Sequence, residues 1–315
     1  MKIVILDKKT VTEGDISLKE IEDLGEVQSY NLTAREEIVE HIGEAEIVLC
    51  NKVPINAEVI EQCKNLKYIG LFATGYNNID LEAAKKKGIA VCNAPAYSTD
   101  AVAQHTFALL LHLVNKVGTY NESVHEGRWI NSETFSYFPY PISEISGMTM
   151  GIMGFGSIGQ KVASIGKAFG MNIIVCTRTL KDFEGIEFVT EEELFQRSDI
   201  LSIHCPLTDA TRNLVNEDKL KMMKPSAILI NTARGPIINE QDLTDALNNN
   251  IIAGAGLDVL SREPMRDDNP LKSAKNCVIT PHIAWAPKQT RERLITIVAD
   301  NIKHFINGNP INVVN

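Results

Sequence analysis

The stretch MTMGIMGFGSIG, residues 148–159, decides the fold. Residues 148–153 read as a strand buried on both faces. Gly154, Gly156 and Gly159 follow as GxGxxG, and residues 157–169 carry Ile158, Val162, Ile165 and Phe169 at helical intervals. Strand, glycine turn and helix in that order form a site for a dinucleotide pyrophosphate. The first glycine permits a tight turn, the second lets backbone approach the phosphates, and the third lets helix pack on strand. Backbone N–H groups and the helix dipole then face the anion. A bare GxGxxG is weak, but here the strand before, the helix after and a second apolar run at 173–177 are all present.

An Asp or Glu normally ends that second strand and binds the adenosine ribose 2′-OH. This chain has Thr177 and Arg178 instead. No carboxylate opposes a 2′-phosphate, and Arg178 can pair with one. NADP(H) is therefore favoured over NAD(H). In the alternative, Arg178 stacks over adenine or points into solvent while NAD(H) binds.

Outward from this turn, short apolar runs alternate with amphipathic stretches. One set lies at 3–6, 27–30, 47–50, 68–72 and 89–92, a second at 148–153, 173–177, 200–204, 227–231, 256–259 and 278–280. Such alternation predicts parallel, doubly wound sheets. Two sets of strands in 315 residues predict two domains. Ser98, Thr99 and Asp100 are good helix N-caps, and 101–117 reads as one long helix joining the two. Residues 118–146 break the pattern and carry Trp129, Phe135, Tyr137, Phe138 and Tyr140. They form either a subunit interface or a loop folded back on its own core. A last helix, 287–307, returns to the first domain.

The net charge of −9 excludes a field that would hold nucleic acid or an anionic membrane. The longest apolar stretch, 107–114, contains His112 and is too short to cross a bilayer. Six scattered cysteines without CxxC read as buried free thiols in a reducing cytoplasm. The histidines outside position 282 show no ligand spacing, so no metal is expected. His105 and His112 read as satisfied structural residues of the long helix.

Three segments follow strands of the second set. They are NTARG (231–235), Asp258 with Arg262-Glu263-Pro264 beyond it, and PHIAW (281–285). Ligands of open α/β sheets bind outside the carboxyl ends of strands. Arg234, Glu263 and His282 suit reduction of a 2-oxo acid. A histidinium supplies the proton to the developing alkoxide. A carboxylate on its other nitrogen holds the ring and favours the charged form. An arginine grips the substrate carboxylate or carbonyl.

The strings GFGSIG, HCPLTDATRNLVN, LINTARGPIINEQDL, AGAGLDVLSREP and ITPHIAW resemble those of the D-isomer-specific 2-hydroxyacid dehydrogenases, and the likeness runs over essentially the whole chain. The resemblance implies Arg234, Glu263 and His282 as the catalytic trio, with His282 as acid/base, and Asp258 on the nicotinamide carboxamide. It implies cofactor contacts at Ser157, Ile158, Cys205, Pro206, Thr211, Thr232 and Ala233. ATGYNNID (73–80) looks like the substrate loop, whose N–H groups at Thr74 and Gly75 would hold the carboxylate. It also implies a homodimer of two Rossmann-like α/β domains with the active site in the cleft between them. These are a discontinuous, flavodoxin-like substrate domain, 1–97 plus 287–315, and a dinucleotide-binding domain, 98–286.

Within the family, the ATGYNNID loop and the PHIAW ending look most like glycerate dehydrogenases, or hydroxypyruvate reductases. Trp285 beside His282 would either narrow the pocket toward a small acid or pack between the domains, and Leu71 stands where many members carry Arg. The expected reaction is reversible reduction of hydroxypyruvate or glyoxylate. Alternatives are lactate- or phosphoglycerate-type oxidation, or a corepressor-like dinucleotide sensor.

Overall fold

The computed structural model describes residues 1–179 and 183–315. The chain divides into two compact units, Met1–Ser98 with Trp285–Asn315, and Thr99–Ala284. Sequence reading puts the boundaries at 97/98 and 286/287; in the structure Ser98, Trp285 and Ala286 belong to the first unit.

The first unit is a parallel sheet of β1 (Lys2–Ile5), β2 (Glu26–Ser29), β3 (Ile47–Cys50), β4 (Tyr68–Leu71) and β5 (Ala90–Cys92), in the order β2-β1-β3-β4-β5. The IVLC run of β3 is buried at every residue because both faces of the sheet are covered. Ile38, Ile42 and Ile60 close one face. Leu294, Val298 and Ile302 of the Lys288–Ile306 helix close the other. The strand order reverses between β1 and β3. There Asp7, 2% exposed, accepts the backbone N–H groups of Asn51 (2.8 Å), Lys52 (2.6 Å) and Val53 (3.3 Å). Burial pushes the Asp7 carboxyl above its ordinary value, and the three amides oppose that shift.

The second unit holds β6 (Thr149–Met153), β7 (Asn172–Cys176), β8 (Glu187–Phe188), β9 (Ile200–Ile203), β10 (Ile228–Asn231), β11 (Gly254–Leu257) and β12 (Cys277–Ile279). All are parallel, in the order β12-β11-β10-β9-β6-β7-β8, so the switch point lies between β6 and β9. Asn231 pairs with Leu257, and Leu257 with Ile279, which aligns the carboxyl ends of β10, β11 and β12. The two-residue β8 is too short to show a period and is absent from the sequence reading.

Three expectations about helices are corrected. The helix expected over 101–117 spans Thr99–Asn115, and Lys116, with φ 51°, breaks it. A second helix, Val117–His125, then begins at the last residue of the expected helix and runs into the segment expected to be irregular. The Tyr120 hydroxyl donates to the Tyr140 carbonyl (2.6 Å), and its ring meets Tyr137 and Tyr140 edge-on. The tyrosines thus fold back on this helix, while Phe135 (91%) and Phe138 (79%) stay exposed. Finally, the Ser157–Ala168 helix buries Gly159, Val162, Ala163 and Gly166, a stripe of small residues that lets it lie close to the sheet. Phe169, expected on that face, is exposed and stacks on Phe107. Among the described residues no helix is long and apolar enough to cross a membrane.

Candidate active site

At the switch point each glycine of the turn meets a different constraint. Gly154 has φ +93°, and a Cβ there would lie 2.6 Å from the Cys205 backbone nitrogen. A Cβ at Gly159 would sit 2.3 Å from the Gly154 carbonyl oxygen. One at Gly156 would meet nothing within 4 Å, so open space faces the start of the helix. A tight turn, a close helix and an unobstructed approach to the first amides fit a pyrophosphate.

Arg234 leaves β10 through a turn stapled by Asn231. The Asn231 amide accepts from Ala233 N (2.9 Å) and donates to the Arg234 carbonyl (3.0 Å). Next comes Gly235, where a Cβ would fall 1.9 Å from the Leu260 carbonyl carbon. Only glycine lets this turn lie against the 260–261 backbone. That second loop carries Glu263, whose Oε1 accepts the Leu260 N–H (3.0 Å) and whose Oε2 lies 2.7 Å from His282 Nδ1. A carboxylate is acceptor only, so Nδ1 carries a proton and Nε2 is left for exchange with a substrate.

His282 sits at φ +56°, a conformation that costs a residue with a Cβ roughly 1–2 kcal/mol. Its N–H donates to the carbonyls of Asp258 (2.8 Å) and Thr280 (3.0 Å). Asp258, 1% exposed, accepts from Thr280 Oγ1 (2.6 Å), Ile283 N (2.9 Å) and Ala284 N (2.8 Å). Burial alone would raise its carboxyl; donors from His105, Thr280, Ala284 and Ile283 outweigh it and hold the group below its ordinary value. Asp258, expected only as a cofactor contact, is thus also the clamp of the His282 turn.

Residues 107–284 match the family described as D-isomer specific 2-hydroxyacid dehydrogenase, NAD binding domain. The chain is 45% identical to the hydroxypyruvate reductase of Blautia hydrogenotrophica over 100% of both chains. It is 39% identical to the glycerate dehydrogenase of Methylorubrum extorquens over 99% of this chain and 98% of that one. The chain belongs to the D-isomer-specific 2-hydroxyacid dehydrogenases. Among solved structures, an acyclic imino acid reductase in complex with NADPH and D-Arg superposes with a TM-score of 0.89, at 35% identity over 100% of both chains.

In this dehydrogenase the other expected cofactor residues gather at strand ends of the second unit. Ser157 Oγ lies 3.3 Å from Thr99 Oγ1 at the start of the helix that bears Ile158. Thr177 and Arg178 follow β7, and Arg178 is exposed with no partner among the described residues. Cys205 and Pro206 follow β9; burial pushes the Cys205 thiol to about 11. Beside it, desolvation takes His204 to about 3, so its ring is neutral. Thr211 bonds the Pro206 carbonyl (2.8 Å), and Thr232 lies 3.0 Å from Thr106 Oγ1.

In the first unit the Thr74 hydroxyl donates to the Ala94 carbonyl (2.8 Å), while Asn93 Nδ2 donates to the Thr74 carbonyl (2.7 Å). The N–H groups of Thr74 and Gly75 have no acceptor among the described residues. Trp285, expected beside the substrate, meets Tyr97 edge-on at 6.4 Å and packs on the first unit's core. Leu71 is fully buried. Asn231, Gly235 and the Thr280 hydroxyl escape sequence reading. Their partners are distant in sequence, and only the glycine after Arg234 carries a signal of close approach.

Proposed function

We propose that this dehydrogenase reduces hydroxypyruvate and glyoxylate to D-glycerate and glycolate, with NADPH preferred to NADH. The observation that carries the reading is His282 Nδ1 held at 2.7 Å by Glu263, with His282 two strands from Arg234, the strand that leads to Glu263 between them, and the three strand ends aligned. Gly154, Gly156, Ser157, Ile158 and Gly159 hold the pyrophosphate, and Thr177 with Arg178 the adenosine ribose. Cys205, Pro206, Thr211, Thr232, Ala233 and Asp258 line the rest. When bound, the reduced nicotinamide supplies the hydride to C2. His282 gives its Nε2 proton to the developing alkoxide, and Glu263 keeps the ring oriented and compensates its charge. The Arg234 guanidinium and the Thr74 and Gly75 amides grip the substrate carboxylate, and Trp285 limits the group at C3. The buried Leu71 offers no cation to a phosphate, which favours an unphosphorylated acid. A second copy of the chain covers Phe135 and Phe138, giving a homodimer. Six free thiols suit a reducing cytoplasm.

The test is kcat/KM for hydroxypyruvate, glyoxylate and pyruvate, each with NADH and NADPH, beside lactate and 3-phosphoglycerate oxidation. Hydroxypyruvate and glyoxylate are expected to lead, and His282→Ala to cut kcat by roughly 10²–10⁴. A folded, cofactor-binding sample that turns over none of them overturns the proposal and promotes the sensor reading.

A further inference from the structure

We propose that His105 is a positioning residue for the acid–base step, acting through the Thr280 hydroxyl and the Asp258 carboxylate on the turn that carries His282. The inference rests on the role of His282 above. His105, half-buried, lies on the Thr99–Asn115 helix, whose buried residues are all apolar except Thr106. Its Nε2 is 2.8 Å from Thr280 Oγ1 and 3.4 Å from Asp258 Oδ1.

The proton count fixes the direction of this chain. Asp258 below its ordinary value is a carboxylate and only accepts, so the single hydroxyl proton of Thr280 goes to it over 2.6 Å. Thr280 Oγ1 must then accept from His105, and His105 carries its proton on Nε2. The same carboxylate takes the N–H groups of Ile283 and Ala284, directly after His282. His105, Thr280 and Asp258 therefore form one relay that ends on the backbone holding His282 at positive φ. Without the His105 donor, Thr280 is free to rotate and Asp258 loses both a bond and a neighbouring donor.

The next residue repeats the arrangement on the other catalytic turn. Thr106 gives its hydroxyl proton to the Val102 carbonyl (2.9 Å) and so accepts from Thr232, two residues before Arg234. Two consecutive polar residues of an apolar helix thus brace the turns of His282 and Arg234. Asp258 is the ionisable group facing His105. On its own helix Asp100 is paired with Lys161 of the Ser157–Ala168 helix. A merely structural histidine would stabilise the fold without affecting the His282 ring.

The experiment compares His105→Ala, His105→Gln, Thr280→Val and the double variant His105→Ala/Thr280→Val. It reads kcat, KM, NADPH affinity, melting temperature and the pH titration of the His282 ring by NMR in protein free of cofactor and substrate. Each truncation is expected to lower kcat roughly 10-fold to 100-fold, as small misplacements of reacting groups do. KM and NADPH affinity should move far less, and the His282 titration midpoint should shift. His105→Gln, which keeps a side-chain N–H donor, should recover most of kcat. The double variant should be no slower than the worse single one. Independent, multiplying losses, an unmoved His282 titration, or a lower melting temperature with wild-type kcat would each overturn the proposal. Thr280→Val, nearly isosteric, keeps the test open if His105→Ala fails to fold. Full turnover by His282→Ala would instead discard the acid–base assignment.

Discussion

Replacing Gly235 by alanine is expected to separate Glu263 from His282 while leaving the cofactor turn intact. The added Cβ would stand 1.9 Å from the Leu260 carbonyl carbon, 2.0 Å from its oxygen and 2.4 Å from Ser261 N. Ordinary contact begins near 3.4 Å, so one backbone must retreat by about 1.5 Å, and no flexible side-chain tip is there to yield instead. The retreating loop also places Glu263, whose Oε1 is tied to Leu260 N. A shift of that size takes Oε2 out of hydrogen-bond range of His282 Nδ1, now 2.7 Å away. Overpacking of this kind costs about 1–3 kcal/mol of stability. Misplacing a catalytic group by about 1 Å costs roughly 10²-fold in rate. Gly235→Ala should therefore lose about 10²-fold in kcat/KM for its best 2-oxo acid, followed through cofactor absorbance. The Gly154 turn follows β6, two strands from β10, so NADPH affinity should change far less. Glu263→Gln, which keeps the loop but removes the charge, should be impaired comparably. A Gly235→Ala protein with wild-type kcat/KM and an unchanged melting temperature would mean that the 260–261 backbone does not set the place of Glu263.

Arg178→Ala should weaken NADPH use more than NADH use, because only the 2′-phosphate needs the guanidinium; equal losses in kcat/KM for the two cofactors would remove that argument. Asp258 titrates below its ordinary value in the fold, so it adds stability above that value and withdraws it as pH falls through the folded one. Asp258→Asn should therefore melt lower than wild type near neutrality, with the gap closing in acid; parallel melting curves across pH would contradict this. If the proposed second copy covers this face, the wild type should sediment as a dimer at micromolar concentration and joint replacement of Trp129, Phe135 and Phe138 by serine as a monomer; the same sedimentation coefficient for both would overturn that interface.

The glycine turn can be read in one dimension because its three glycines fall within six residues, 154–159, although the backbone that Gly154 must clear belongs to Cys205. The buried runs of β3 and β6 are equally plain, since strands covered on both faces need unbroken apolar sequence. Arg234, Glu263 and His282 stand out as polar residues just past strand ends. What sequence reading misses is closed through space. His105 looks like a core histidine until Thr280 and Asp258, more than 150 residues away, are brought against it. Gly235 looks like turn punctuation until Leu260 is laid across it. The Val117–His125 helix hides behind Gly118, whose helical use is decided by Lys116 turning left-handed just before it.

Both units are wound in the same manner, and each leaves a gap where its strand order reverses. In the second, that gap is floored by glycine and open to an incoming anion. In the first, Asp7 already sits there, saturating the nearby amides with a negative charge of the protein's own. The chain thereby carries one phosphate cradle whose glycines leave room for an anion and one whose amides its own carboxylate already engages, so a nucleotide meets electrostatic welcome in one half and repulsion in the other.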